Sequence, residues 1–285
     1  MMRRMKPPVF EYHRPGTVAE ALAVLAEVGH DGKVLAGGQS LVPLLNMRLA
    51  APRHLVDVNW LAELDEVGCG PDAVRVGALA RHARVEHDRD ATAAIPLLGQ
   101  AIGDIAHATV RNRGTVVGSL VHADPAADWP AAILALDAEL ELAGPRGRRT
   151  IPIDSFFVDL LQTALAPDEM LCEIRVPITA KTVAYEKTEQ KASGFAIAGV
   201  AAVVEKGGAV RVGITGVAAK AYRAKAVERA LTGQTAPSAD AIARAASQAA
   251  DKVDALGDIH ASADFRRHLA EINTIRALTR AYSVR

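Results

Sequence analysis

The chain has 285 residues, 50% of them hydrophobic, with 33 Lys plus Arg against 33 Asp plus Glu and a formal net charge of zero. This composition is globular, neither disordered nor fibrous, with apolar material for one large domain or two or three small ones. The neutral balance argues against a nucleic-acid binder working through phosphate neutralisation and suits a subunit that lives inside an assembly.

The opening stretch, MMRRMKPPVFEYHRPG, is basic but lacks the apolar run that a signal peptide requires. No stretch approaches the roughly eighteen apolar residues of a membrane span, so a cytoplasmic chain without a transmembrane segment is expected. From Thr17 the pattern becomes regular. Thr17 and Glu20 form a T-x-x-E capping box, Leu22, Leu25, Ala26 and Val28 recur at helical spacing, and Gly29 closes the helix. A strand over Lys33 to Ala36 runs into Gly37-Gly38-Gln39-Ser40. A short helix over Leu41 to Leu49 and a strand over His54 to Val58 complete a first unit, residues 1–60.

The second unit, residues 61–177, opens with alternation over Ala73 to Ala80 and an amphipathic helix over Ile95 to His107. A Gly- and Arg-bearing loop is expected from Val110 to Pro125, then a helix from Ala126 to Leu136 and strands over Glu139 to Ala143 and Met170 to Val176. The third unit, residues 178–285, has strand patterns at Val183 to Lys187, Gly199 to Glu205 and Val210 to Val217. Helical sequence follows from Ala221, with Ala-rich helices over Ala239 to Val253 and Ala263 to Tyr282.

Two loops draw attention as sites. Gly37 and Gly38, between a strand and a helix start, let the backbone turn with positive φ and bring N–H groups to an anion. The Ser40 hydroxyl can meet a phosphate or cap the helix. A Gly-Gly turn alone is more often plain strand-to-helix geometry. Thr115, Gly118 and Ser119 form a second potential cradle, and Asp128 can accept from ribose hydroxyls. Alternatively, Asp124 and Asp128 are natural N-caps for the helix that follows. His82, His87, His107 and His122 lack metal-site spacing and read as solvated or helix-end histidines, so no metal site is expected. Cys69 and Cys172 read as buried small hydrophobes and cannot hold an iron–sulfur cluster. No acid–base or nucleophile constellation is present, so no catalytic residue is expected and a bound redox cofactor is left to do the chemistry.

Five segments in order, AGGQSL (Ala36 to Leu41), LVDV (Leu55 to Val58), RNRGTVVGS (Arg111 to Ser119), HADPAADWPA (His122 to Ala131) and GFAIAGVAA (Gly194 to Ala202), resemble the FAD-binding medium subunit of the molybdenum hydroxylases. Aerobic carbon monoxide dehydrogenases have such a subunit, and xanthine dehydrogenases carry it as an internal domain. The resemblance implies an α+β chain: two FAD-binding subdomains of the vanillyl-alcohol oxidase or PCMH type, plus a C-terminal domain of antiparallel sheet and helices. It implies non-covalent FAD held by Ala36, Gly37, Gly38, Gln39, Ser40, Leu41, Ile105, Thr115, Val116, Val117, Gly118, Ser119, Asp128, Leu171, Lys187 and Phe195. Lys187 and Phe195 would lie near the flavin ring; read without the resemblance, they are a solvated strand lysine and plain core packing.

One departure matters. The family's second loop usually reads T-x-G-G-N or T-x-G-G-S, and Val117 replaces its first glycine. A β-branched residue at positive φ costs on the order of 1–3 kcal/mol, so Val117 is expected to be extended with negative φ.

The resemblance further implies an oxidoreductase subunit that takes electrons from a small [2Fe–2S] partner and passes them to an external acceptor. Substrate oxidation would occur on a large molybdenum-cofactor subunit, within a dimer of heterotrimers. Two alternatives stand beside it. A self-sufficient flavin oxidase of the same fold type needs a substantial substrate-covering domain, for which roughly a hundred residues after Pro177 are short. A cofactor-free assembly protein has only Val117 as a hint.

Overall fold

The computed structural model describes residues 6–179 and 181–283. Among them, no helix is long and apolar enough to cross a membrane. The first sheet is parallel and three-stranded. It comprises β1 (Glu11–His13), β2 (Gly32–Leu35) and β3 (His54–Asp57) in the order β1-β3-β2, with α1 (Val18–Val28) and α2 (Leu41–Asn46) as connections. The Thr17 side chain accepts from Glu20 N as the capping box requires, while Glu20 reaches back to Gly16 N rather than to Thr17. The helix α2 stops at Asn46, short of Leu49, because Arg48 takes a left-handed conformation with φ 58°. The edge strand β1 gives no periodic signal, being three residues long.

The second unit is built on a five-stranded antiparallel sheet. Its strands are β4 (Val67–Cys69), β5 (Ala73–Gly77), β6 (Glu139–Gly144) and β7 (Gly147–Pro152), with a small hairpin of β8 (Phe157–Asp159) and β9 (Gln162–Thr163) before the central β10 (Met170–Pro177). Between β5 and β6 the chain makes α3 (His82–His87), α4 (Arg89–Ala94), α5 (Pro96–Gly103), α6 (Ala108–Arg111), α7 (Val116–His122) and α8 (Asp128–Ala135). The helix expected over Ile95 to His107 is α5 alone, ended by Asp104 and by Ala106 at φ 42°. The loop expected from Val110 to Pro125 is largely helical, since Thr115 caps α7 by accepting from Gly118 N at 3.0 Å. One apolar core runs through these two units, from Val18 to the second sheet, α5, α7 and α8.

The third unit has an antiparallel sheet of β11 (Lys181–Glu189), β12 (Ala196–Glu205), β13 (Val210–Thr215) and β14 (Tyr222–Arg223). After it come α9 (Lys225–Leu231), α10 (Ala239–Ala246) and α11 (Ala263–Ser283). Strand β12 is buried nearly throughout because α11 covers one side and α8 the other, which is why its sequence is a continuous apolar run. The helix expected to reach Val253 ends at Ala246, where Ser247 turns its hydroxyl back to Arg244 O. A second core, from Ala184 to Ala281, fills this unit. Thr215 Oγ1 donates to Pro125 O at 2.7 Å and Ala127 O at 2.8 Å, and Ala196 N donates to Ala126 O. These bonds fix the segment that leads into α8 against the third sheet.

Candidate functional site

The parallel strand β2 delivers Gly37-Gly38 at its carboxyl end, the edge at which open parallel sheets bind ligands. Gly38 sits at φ 73°, a conformation open to glycine and costly for other residues. A side chain on Gly37 would run into the Arg113 carbonyl and the Gly114 Cα, so its absence lets the two glycine-bearing segments touch. Among the described residues, the backbone N–H groups of Gly37, Gly38, Gln39, Ser40 and Leu41 donate to no protein acceptor. Ser40 occupies the N-cap position of α2 without making a side-chain cap, so its hydroxyl is also uncommitted. These five consecutive donors at a partly exposed turn are free to meet water or an anion.

The second segment contributes the start of α7. The N–H groups of Thr115 and Val117 likewise have no acceptor among the described residues. Val117 is neither extended nor at positive φ: it is the second residue of α7, with a buried side chain. A glycine is not needed there, because helical backbone tolerates valine at small cost.

A polar network that the sequence reading missed clamps the two segments. Asn59 Nδ2 donates to Ala36 O at 2.9 Å, while Arg81 donates to Asn59 Oδ1 and to Arg113 O. Asp57 accepts from Asn59 and from the Tyr12 hydroxyl. Desolvation pushes the Asp57 carboxyl up, but the Tyr12 and Asn59 hydrogen bonds outweigh it and leave the carboxyl below the ordinary carboxylate range. Tyr12, the neighbouring pair Asp57 and Asn59, and Arg81 come from three separate stretches of sequence, and no spacing rule joins them.

A second cluster lies under α8. Asp128 is the first residue of that helix and caps nothing, while Asp124 accepts from Ala126 N in a turn before it. The Asp128 carboxylate accepts from the Tyr185 hydroxyl at 2.6 Å and pairs with Lys187 Nζ at 3.0 Å. Burial pushes its carboxyl up to about 6, opposed by Lys187 and Tyr185. Lys187 also donates to Asp104 O at 2.7 Å, and only 3% of its side chain is exposed, so it is no solvated strand lysine. His82 is buried rather than solvated: Trp129 Nε1 donates to its Nδ1 at 2.9 Å, and desolvation lowers its pKa to about 4.

Of the remaining expected site residues, Ile105 lies just after α5 with its carbonyl accepting from Arg111. Phe195 is half-exposed and lines a shallow hollow with Asp124, Gln190, Ser193, Asp258 and Arg266, so it is not core packing. Leu171 departs from the group, with its side chain packed in the core of β10. Cys172 is buried as expected, but Cys69 is exposed at the end of β4.

Residues 8–179 match the family model described as the FAD binding domain in molybdopterin dehydrogenase. Residues 183–281 match the CO dehydrogenase flavoprotein C-terminal domain. The carbon monoxide dehydrogenase medium chain of Hydrogenophaga pseudoflava is 38% identical over 289 residues, covering 98% of this chain and 99% of that one. The caffeine dehydrogenase subunit beta of Pseudomonas sp. (strain CBB1) is 42% identical over 203 residues, covering 70% of this chain and 69% of its own. A solved structure of carbon monoxide dehydrogenase from Hydrogenophaga pseudoflava, lacking the Mo-pyranopterin moiety of its molybdenum cofactor, superposes with a TM-score of 0.94. It is 40% identical, covering 98% of this chain and 99% of that chain.

Proposed function

The chain belongs to the FAD-binding medium subunits of the molybdenum hydroxylases, and from that membership we propose which residues hold the cofactor and how the chain is built into its complex. It is the FAD-carrying electron-transfer component of an oxidoreductase whose molybdenum cofactor and iron–sulfur clusters reside on other subunits. When bound, the flavin accepts electrons from iron–sulfur clusters and delivers them in pairs to an acceptor.

The observation that carries the site reading is the row of unpaired N–H groups from Gly37 to Leu41. We read it as the cradle for the FAD pyrophosphate, with Ala36 and the Ser40 hydroxyl beside it. The start of α7, from Thr115 to Ser119, supplies further donors through Thr115 N, Val117 N and the Ser119 hydroxyl. Val117 contributes only its backbone N–H, and Val116, whose N–H donates to Ala80 O, is read as packing, since both side chains are buried. Lys187 and Phe195 are read as facing the ring side, with Ile105 as an apolar contact. Asp128 is better read as a positioning residue than as a ribose ligand, because its oxygens already serve Tyr185 and Lys187. Leu171 is retained only as packing beneath the site.

The FAD-binding part is read as two subdomains of the PCMH type, residues 1–60 and 61–177, followed by a C-terminal domain at 178–285. The separate first and second sheets support this division. A dimer of heterotrimers with a large molybdenum subunit and a small [2Fe–2S] subunit is the proposed assembly. Cytoplasmic residence is proposed because Cys69 and Cys172 are both unpaired, as a reducing compartment allows.

The test is Gly38→Val. A β-branched residue forced to φ 73° strains the turn and aims its N–H groups away from a common point. The purified variant should keep its far-ultraviolet circular dichroism and lose most of its visible flavin absorbance. Full flavin content in a folded Gly38→Val chain contradicts the cradle.

A further inference from the structure

At the opposite end of the first sheet from the glycine cradle, three potential metal ligands converge. Glu11 and His54 are register partners across the parallel pair β1 and β3, and His13 lies two residues along β1, on the same face. His13 Nε2 and His54 Nδ1 stand 3.0 Å apart, and the Glu11 carboxylate oxygens lie 3.8 Å and 3.6 Å from them. Ligand atoms about 2.0–2.1 Å from a tetrahedral zinc ion are separated by about 3.3–3.4 Å. The three observed separations bracket that value, so side-chain shifts of a few tenths of an ångström close the site.

We propose that Glu11, His13 and His54 bind one divalent transition-metal ion of the zinc class. Two imidazoles and one carboxylate make a borderline donor set suited to zinc, and three protein ligands leave the fourth position to water. The site is open to an ion, since the two histidine side chains are about one-fifth exposed (22% and 24%) and Glu11 is 67% exposed. An ion at the centre replaces the His13–His54 hydrogen bond and binds each ring through the nitrogen that now faces the other ring. The ion would clasp the three-residue edge strand β1 to the central strand β3. Both histidines went unnoticed in the sequence because they lie 41 residues apart and meet only through strand pairing.

This site is separate from the FAD cradle. It lies at the amino-terminal end of β3 while Gly37 follows the carboxyl end of β2, on the order of 15 Å away at the usual rise per strand residue. Its test is calorimetric titration of zinc chloride, in a non-chelating buffer, into the flavin-loaded full chain after treatment with EDTA. One saturable ion per chain and a raised thermal midpoint are expected. The double variant His13→Gln, His54→Gln should bind zinc at least a hundredfold more weakly with an unchanged visible flavin spectrum. Glu11→Gln, at an exposed position, should weaken binding about tenfold and serves if the double variant does not fold. Absence of saturable binding overturns the proposal. So does wild-type affinity in either variant, which places the ion elsewhere, for instance at the exposed Cys69.

Discussion

Asp128 shows how one buried carboxylate couples the second and third units. Tyr185 and Lys187 both come from β11, so the cluster exists only where α8 packs on the third sheet. Burial raises the folded-state carboxyl to about 6, opposed by Lys187 and Tyr185, whereas an unfolded aspartate titrates near ~3.9. Between those values the folded chain holds a proton that the unfolded chain has released. The contribution is therefore fully present below about pH 4 and is lost as pH rises through about 6. The stability difference between wild type and Asp128→Asn should fall by on the order of 3 kcal/mol from pH 4 to pH 7, read from urea midpoints. Parallel profiles for the two proteins contradict the assignment. No spacing in the sequence marks this cluster, because Asp128 reads equally well as a helix cap and its true partners lie almost sixty residues away.

At the scale of the element, α7 explains how the chain carries valine at position 117, since the segment is helical there. Thr115 supplies the cap, Val117 fills the core with an ordinary helical backbone, and Gly118 leaves room for the Thr115 hydroxyl, which a Cβ would approach to 2.6 Å. Val117→Gly should destabilise the chain by about 2–3 kcal/mol through lost apolar burial and added backbone freedom, without raising flavin affinity. A marked gain in affinity, measured by fluorescence titration of the flavin-free chain with FAD, contradicts this account. The sequence reading took α7 for a loop because helical periodicity needs a longer run than the seven residues of Val116–His122. Longer elements were legible. The capped α1, the apolar β12 and the 21-residue α11 follow the patterns expected of them, while β5, expected to alternate, is buried on both faces except at Arg75. Short edge strands such as β1 and β4 were not, since their existence depends on pairing with distant segments. The Gly37-Gly38 turn was readable because its geometry is local, whereas the Asn59–Arg81 clamp beside it is entirely tertiary.

For the whole molecule, the two cores meet along β11, where Tyr185 and Val183 belong to one and Ala184 to the other. Arg280 of α11 reaches across to Tyr185 O and Gln100, so the third unit is tied to the second by side-chain bonds as well as packing. That arrangement holds Lys187 buried against α8, while Phe195, eight residues further along, stays half-exposed. As the FAD-carrying electron-transfer component, this chain should oxidise no substrate by itself. Anaerobic visible spectroscopy of the flavin-loaded chain tests it most directly, first with a panel of small alcohols and aldehydes, then with the reduced [2Fe–2S] partner subunit. No bleaching of the flavin band is expected with the panel, and full bleaching is expected with the partner. Bleaching by a small substrate in the isolated chain contradicts it and identifies a self-sufficient oxidase instead.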